Sequence, residues 1–229
     1  MNTPELHLHE EVLLLALDDE KGSVLGGTMW RQAAGGAIVA ELLLEGRIRA
    51  TEEKKPKLEV VDATPLGDPV LDEVLAEMAE AKKLRKGADW VRRLGTRSKL
   101  KERIAAELVR KKVLRQEQGK ILWIFDTTRY PERDGRPEKE VVARLKKAIF
   151  TASGGVSPRT VVLVALADAS GLLKKIFEKS RLKERKERIK KLTEGQATGA
   201  MTREAIQAMQ AAVMVCCIIP SVVVASSAT

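Results

Sequence analysis

The sequence predicts a mainly α-helical protein, on three observations. Apolar residues recur at helical spacing, as in Leu71, Val74, Leu75 and Met78 and again in Leu100, Ile104 and Leu108. Helix start and stop signals bracket such segments, among them Asp68-Pro69 at an N-terminus and Gly46 at a C-terminus. Strand-like segments are short and flank polar turns in pairs, the pattern of small hairpins rather than of an extended sheet.

Each element follows in order. Glu10 to Leu17 is a short apolar run ended by the polar turn Asp18 to Gly22. Met29 to Glu45 begins with small residues, Ala33, Ala34, Gly35, Gly36 and Ala37, which allow close backbone approach and mark this helix as central. Arg47–Ala50 and Leu58–Val61 flank a polar stretch and read as a first hairpin. Asp68 caps the next helix, Pro69 fits its first position, and Asp72 and Glu73 complement its dipole. A short helix around Trp90 ends near Gly95, and a basic helix runs from about Ser98 to Lys112. Val113–Arg115 and Ile121–Phe125 read as a second hairpin turning at Gln118-Gly119. The octets Glu41–Ile48 and Glu107–Leu114 echo each other, so one helix-then-hairpin unit is used twice. Glu138–Ile149 is an amphipathic helix, and Arg159 to about Phe177 is another with an uncharged centre from Val161 to Ala167. A charge-dense helical stretch covers Lys174 to Lys191, and a last helix leads into a tail without charge from Ala205 to Thr229.

Composition narrows the function. The 229 residues carry a net charge of +9, with 44% hydrophobic and 32% charged residues, so the chain folds and favours anionic partners, whether nucleic acid or membrane. Aromatics are 3%, too few for platforms that stack single strands. The only histidines are His7 and His9, and the only cysteines are Cys216 and Cys217. A serine triad, a histidine-rich metal centre and a disulfide scaffold therefore lack material. No catalytic set can be assembled, and no metal or cofactor is expected. Glu5, Glu10 and Glu11 are the reverse of a secretory leader, so a cytoplasmic location is expected.

Four features invite a functional reading, each with a plainer one beside it. The uncharged tail is long enough for a membrane anchor, yet Gln207, Gln210 and Pro220 also suit a buried core helix, the reading preferred here. The segment from Arg97 to Arg115 has eight bases and two acids, which suits an anion-binding face or a solvated helix. In residues 181–191, Glu184 and Glu187 lie three and four positions from bases, which favours a self-paired, solvated helix. Ile121 to Phe125 is either a strand buried on both faces or an apolar tip that enters a bilayer, with Trp123 suited to the interface.

Taken together, the motifs resemble the Golgi phosphoprotein 3 family. The resemblance rests on Glu10–Leu17 with Gly22, Glu41–Ile48, Gly67–Glu73, Trp90, Glu102–Ile104 with Leu108-Val109, Phe125–Thr128 with Pro131, and Leu166–Leu173, in the family's order. It implies a single domain over residues 5–229, with a central helical bundle surrounded by amphipathic helices and small β-hairpins. It also implies a non-enzymatic peripheral membrane protein that binds phosphatidylinositol 4-phosphate or another acidic phospholipid. An apolar hairpin beside the lipid pocket falls at Ile121, Leu122, Trp123, Ile124 and Phe125. At the family's pocket positions only Lys101 keeps a base; Ser98, Gly35 and Gly26 or Gly27 stand at the others. Trp30, Arg31, Arg97 and Lys99 lie close by. The headgroup residues expected are thus Lys101, Arg97, Arg31 and Trp30. The chain resembles a prokaryotic-type member without the family's arginine-bearing N-terminal extension, so Golgi trafficking is not carried over. The partner expected is an anionic membrane lipid; cytoplasmic tails of membrane proteins and a second copy of the chain are further candidates, and nucleic acid is disfavoured. The rival readings are a winged-helix-like nucleic-acid binder, with Ser98–Lys112 as its recognition helix, and a protein-binding scaffold with no lipid role.

Overall fold

A computed structural model describes residues 3–25, 28–121, 125–151, 155–194 and 213. Helices dominate: α1 (Leu8–Leu14), α2 (Trp30–Leu44), α3 (Pro69–Ala79), α4 (Gly87–Gly95), α5 (Leu100–Arg110), α6 (Arg136–Phe150), α7 (Pro158–Ala169), α8 (Leu173–Ile176), α9 (Lys179–Glu184) and α10 (Lys186–Thr193). Two antiparallel hairpins accompany them, β1 (Ile48–Ala50) with β2 (Leu58–Val60) and β3 (Glu117–Ile121) with β4 (Phe125–Arg129).

The small-residue helix is central, as its composition predicts. α2 packs against α1, α3, α4 and α7, and its residues from Ala33 to Leu43 are buried. Gly35 and Gly95 allow the contact with α4: a Cβ on Gly35 would lie 2.8 Å from the Val91 carbonyl oxygen. The uncharged centre of α7, Val161 to Ala167, is buried alongside it. Among the described residues no helix is long and apolar enough to cross a membrane. Most of the uncharged tail lies outside the described residues, as do Cys216 and Cys217; Val213 is helical and buried.

The start of α3 follows its capping signals. Asp68 accepts hydrogen bonds from the Val70 and Leu71 N–H groups at 2.9 Å. Asp72 accepts from the Leu66 and Gly67 N–H groups, so its carboxylate closes the entry turn as well as facing the helix dipole.

The echo between the two octets has a physical basis. At the end of α2, Gly46 is left-handed (φ +67°), the Gly46 N–H donates to Leu43 O and the Arg47 N–H donates to Leu42 O. At the end of α5, Lys112 is left-handed (φ +62°), and the Lys112 and Val113 N–H groups donate to Val109 O and Leu108 O. Both are Schellman ends, and both drop an apolar residue, Ile48 or Leu114, into the core.

The echo stops at the second hairpin, where the expected register is corrected. Val113 and Leu114 are core residues after the helix end rather than a strand. Gln118 and Gly119 pair with Thr128 and Thr127 in mid-ladder rather than forming the turn. Ile121 pairs with Phe125 as the last rung of the ladder, so these two residues lie on opposite strands and not along one. Leu122, Trp123 and Ile124 lie outside the described residues.

α1 carries buried charge. Glu10 accepts from the His7 N–H at 2.7 Å and pairs with Lys111 at 2.6 Å. Glu11 pairs with Arg144 at 2.7 Å. Glu41, on α2, accepts from the Leu8 N–H and pairs with Arg159 and His7. The His7 and His9 rings stack at 5.8 Å, and His9 Nε2 lies 3.5 Å from Asp68.

Glu138, on α6, sets a pH dependence. Burial, the Asp19 and Glu132 charges and a hydrogen bond with Asp19 push its carboxyl up to about 8. The folded state therefore holds this proton more tightly than the unfolded chain. Its contribution is full below the unfolded value of 4.5 and is lost as pH rises through about 8. Glu138→Gln should remove that decline. The wild type should lose roughly 2–4 kcal/mol more than the variant between acid and mildly alkaline pH, measured by urea unfolding across that range. Parallel curves for the two proteins would show that Glu138 does not titrate there.

Candidate functional site at the α4–α5 turn

Of the four expected headgroup residues, Arg31 reaches the Arg97 backbone at the turn between α4 and α5, Trp30 packs beside Arg31, and Lys101 lies apart in the first turn of α5. Arg31, in the first turn of α2, does not point freely outward. Its Nε donates to the Gly95 carbonyl at 2.9 Å and its Nη2 donates to the Arg97 carbonyl. Its guanidinium carbon lies 5.5 Å from the centre of the Trp30 ring, and Trp30 is buried. Arg31 thus fastens the turn from beneath while its charge stays half-buried at the turn.

Arg97 and Lys101 do not share one helix face. α5 begins at Leu100, and Lys99 before it is left-handed (φ +54°), so helical spacing does not relate residue 97 to residue 101. The Arg97 side chain reaches α3, where it pairs with Glu73 at 2.9 Å and with Glu77. Lys101 turns the other way: its Nζ lies 5.6 Å from the centre of the Tyr130 ring and 3.5 Å from Glu102. Tyr130 is buried and directly follows β4, so Lys101 stands at the foot of the second hairpin. Lys99 is exposed and has no acidic partner among the described residues.

The rest of α5 is less open than its charge count implies. Arg103 pairs with Glu73, Arg110 with Glu107 and Lys111 with Glu10. Leu100, Ile104, Ala105 and Leu108 are buried on the other side. A recognition helix needs unpaired bases along its groove-facing side, and these bases face carboxylates. Among the described residues no group of three His, Cys, Asp or Glu side chains is placed to hold a metal ion.

The family model of Golgi phosphoprotein 3 (GPP34) matches residues 8–209. The chain belongs to the Golgi phosphoprotein 3 family. Vacuolar protein sorting-associated protein 74 of Eremothecium gossypii is 27% identical over 208 aligned residues, which cover 76% of this chain and 62% of the relative. The protein of the same name from Schizosaccharomyces pombe is 26% identical over 227 aligned residues, covering 83% of this chain and 66% of the relative. The chain thus spans just under two thirds of each of these relatives.

In this member of the Golgi phosphoprotein 3 family, Gly35 stands at the α2 pocket position expected from the resemblance, and α4 fills the space beside it. Gly26 and Gly27 lie outside the described residues. Lys99 is the cation that spacing undervalues. Its left-handed backbone breaks the periodicity by which helix faces are assigned, and no residue type announces it, because glycine is the usual occupant of that conformation.

Proposed function

We propose that the protein is a non-enzymatic peripheral membrane protein that binds anionic lipid headgroups, phosphatidylinositol 4-phosphate or another acidic phospholipid, at the α4–α5 turn. The cations are Lys101 and Lys99, with Arg31 held behind them; Trp30 and Arg97 keep the turn in shape. The observation that carries this reading is Lys101 over Tyr130 at the foot of a hairpin whose ladder ends on the apolar pair Ile121 and Phe125. Five residues of strand separate Tyr130 from Phe125, roughly 17 Å. An apolar end buried ~5–10 Å at the headgroup boundary would leave Lys101 about 10 Å above it, within one screening length of the charged surface. Family membership supports the same reading. The location that follows is cytoplasmic and membrane-peripheral, and cytoplasmic tails of membrane proteins or a second copy of the chain would meet it at the bilayer.

Each base near an anionic surface contributes about 1 kcal/mol, so Lys99→Ala with Lys101→Ala should weaken binding roughly 10–30-fold. Co-sedimentation with phosphatidylcholine vesicles carrying phosphatidylinositol 4-phosphate, phosphatidylglycerol or neither measures it, with the thermal midpoint as a check on the fold. Binding unchanged in the double variant, or a wild type that ignores acidic vesicles at low salt and binds duplex DNA, would overturn the reading.

A further inference from the structure

The segment after α7 concentrates the positive charge of the molecule. Residues 174–194 contain ten Lys and Arg against four Glu, so +6 of the chain's +9 falls in 21 residues. On one continuous helix Glu184 and Glu187 would neutralise their neighbours. The chain instead breaks at Arg185 (φ −105°, ψ 10°), between α9 and α10, and residues on either side lose their common helical phase. Among the described residues no base within 181–191 has a carboxylate of that stretch within ion-pair distance; the pair present is Lys190 with Glu194, at 3.9 Å.

These lysines are arranged around a groove. Between the end of α7 and α8–α10 lies an open cavity of about 660 Å³ with Leu182 and Ile189 among its lining residues. Lys174, Lys179, Lys183, Lys186 and Lys190 also line it, and Asp168 is its one carboxylate among the described residues. Asp168, Lys174 and Lys179 continue into a smaller hollow of about 400 Å³ that reaches Met29. Met29 donates its N–H to the Ser170 carbonyl at 2.9 Å, and Trp30 and Arg31 follow it directly. The lysine groove is therefore continuous with the start of α2.

We propose that this groove is a second membrane-contact surface, which takes the phosphate groups of an acidic phospholipid bilayer. The occupant rests on the peripheral-membrane reading above; the site itself does not. Three properties select a bilayer. Lysine is a compact, hydrated point charge on a long apolar stem, suited to a diffuse phosphate layer rather than to planar bidentate recognition. Leu182, half-buried above the core residue Ile189, offers apolar surface between the charges, which lipid can cover and a phosphodiester backbone cannot. No aromatic residue lines the groove among the described residues, so stacking on bases has no platform there.

The test is co-sedimentation of the full chain with vesicles of equal parts phosphatidylcholine and phosphatidylglycerol. Lys183→Gln with Lys186→Gln, both exposed, should weaken binding about tenfold or more with an unchanged thermal midpoint. Glu184→Gln with Glu187→Gln should strengthen it a few-fold, a gain that damage to the fold cannot mimic. If the lysine variant binds as wild type while Lys99→Ala with Lys101→Ala loses binding, the groove proposal falls and the α4–α5 reading stands. The opposite pattern removes the α4–α5 site and leaves the groove. Duplex DNA bound in place of vesicles, through the same lysines, overturns the lipid occupant.

Discussion

Glu41→Ala should destabilise the protein by about 3–5 kcal/mol, the usual consequence of removing one partner from a buried ion pair. Glu41 is 1% exposed. Its carboxylate accepts from the Leu8 N–H, which opens α1, and pairs with Arg159 on α7 and His7 before α1. Burial pushes this carboxyl up, but the His7 hydrogen bond, the Arg159 charge and hydrogen bond and the Leu8 N–H outweigh it and hold it at about 2. A folded-state value below the ordinary 4.5 means stability that is present above 4.5 and lost as pH falls toward about 2. Truncation leaves Arg159 with Glu11, at 3.9 Å, as its one carboxylate partner among the described residues beside the Leu6 carbonyl, and leaves the Leu8 N–H unanswered inside the core. Urea unfolding at neutral pH measures the loss. Glu41→Gln keeps an acceptor for Leu8 and should lose less. Combining Glu41→Gln with Arg159→Met should cost less than the two single losses together, because the second change removes the cation that the first strands. Full additivity, or a loss of under about 1 kcal/mol for Glu41→Ala, would mean that the charges are solvated rather than coupled.

That network marks the boundary of what the sequence makes legible. The family resemblance, the helical class, the caps at Asp68 and Gly46 and the central place of the small-residue helix all follow from local patterns, and local patterns are what a sequence displays. Glu10 and Glu11 display nothing of the kind. At the start of an apolar run they look like acids turned to solvent, yet both are buried, because Lys111 and Arg144 reach them from elements a hundred or more residues away. Arg97 is hidden for the same reason, its partners Glu73 and Glu77 lying on another helix. Other features are obscured by backbone conformation. Gly119 suggests a turn but sits in mid-ladder, while Lys99 and Lys112 adopt left-handed geometry without a glycine to signal it. The break at Arg185 removes the pairing that the spacing of residues 181–191 implies, and with it the reason to dismiss that charge. The lysine groove is visible only once α7 to α10 are brought together.

Gly22→Ala should lower stability by roughly 2–5 kcal/mol, and it should reach the candidate lipid site through the fold. Gly22 closes the turn after α1 with φ +59°, where an L-residue costs about 1–2 kcal/mol. The space is also occupied. A Cβ there would lie 2.3 Å from the Pro131 nitrogen and 2.3 Å from the Tyr130 carbonyl carbon, both backbone atoms that no side-chain rotation can move aside. The contact is fixed from both sides, since the Tyr130 N–H donates to Gly22 O and the Glu132 N–H donates to Asp19 O. Overpacking of this kind adds roughly 1–3 kcal/mol, so a chain of this size should melt about 4–20 °C lower. Relief of the clash requires the exit of β4 to move, and Tyr130, the ring beneath Lys101, moves with it. A Gly22→Ala protein that still folds should therefore bind acidic vesicles less well than wild type, although residue 22 carries no charge. Thermal unfolding and vesicle co-sedimentation on one preparation read both effects. An unchanged midpoint would show that the Gly22 turn can open without cost. A lowered midpoint with full binding would show that Lys101 does not depend on the position of Tyr130.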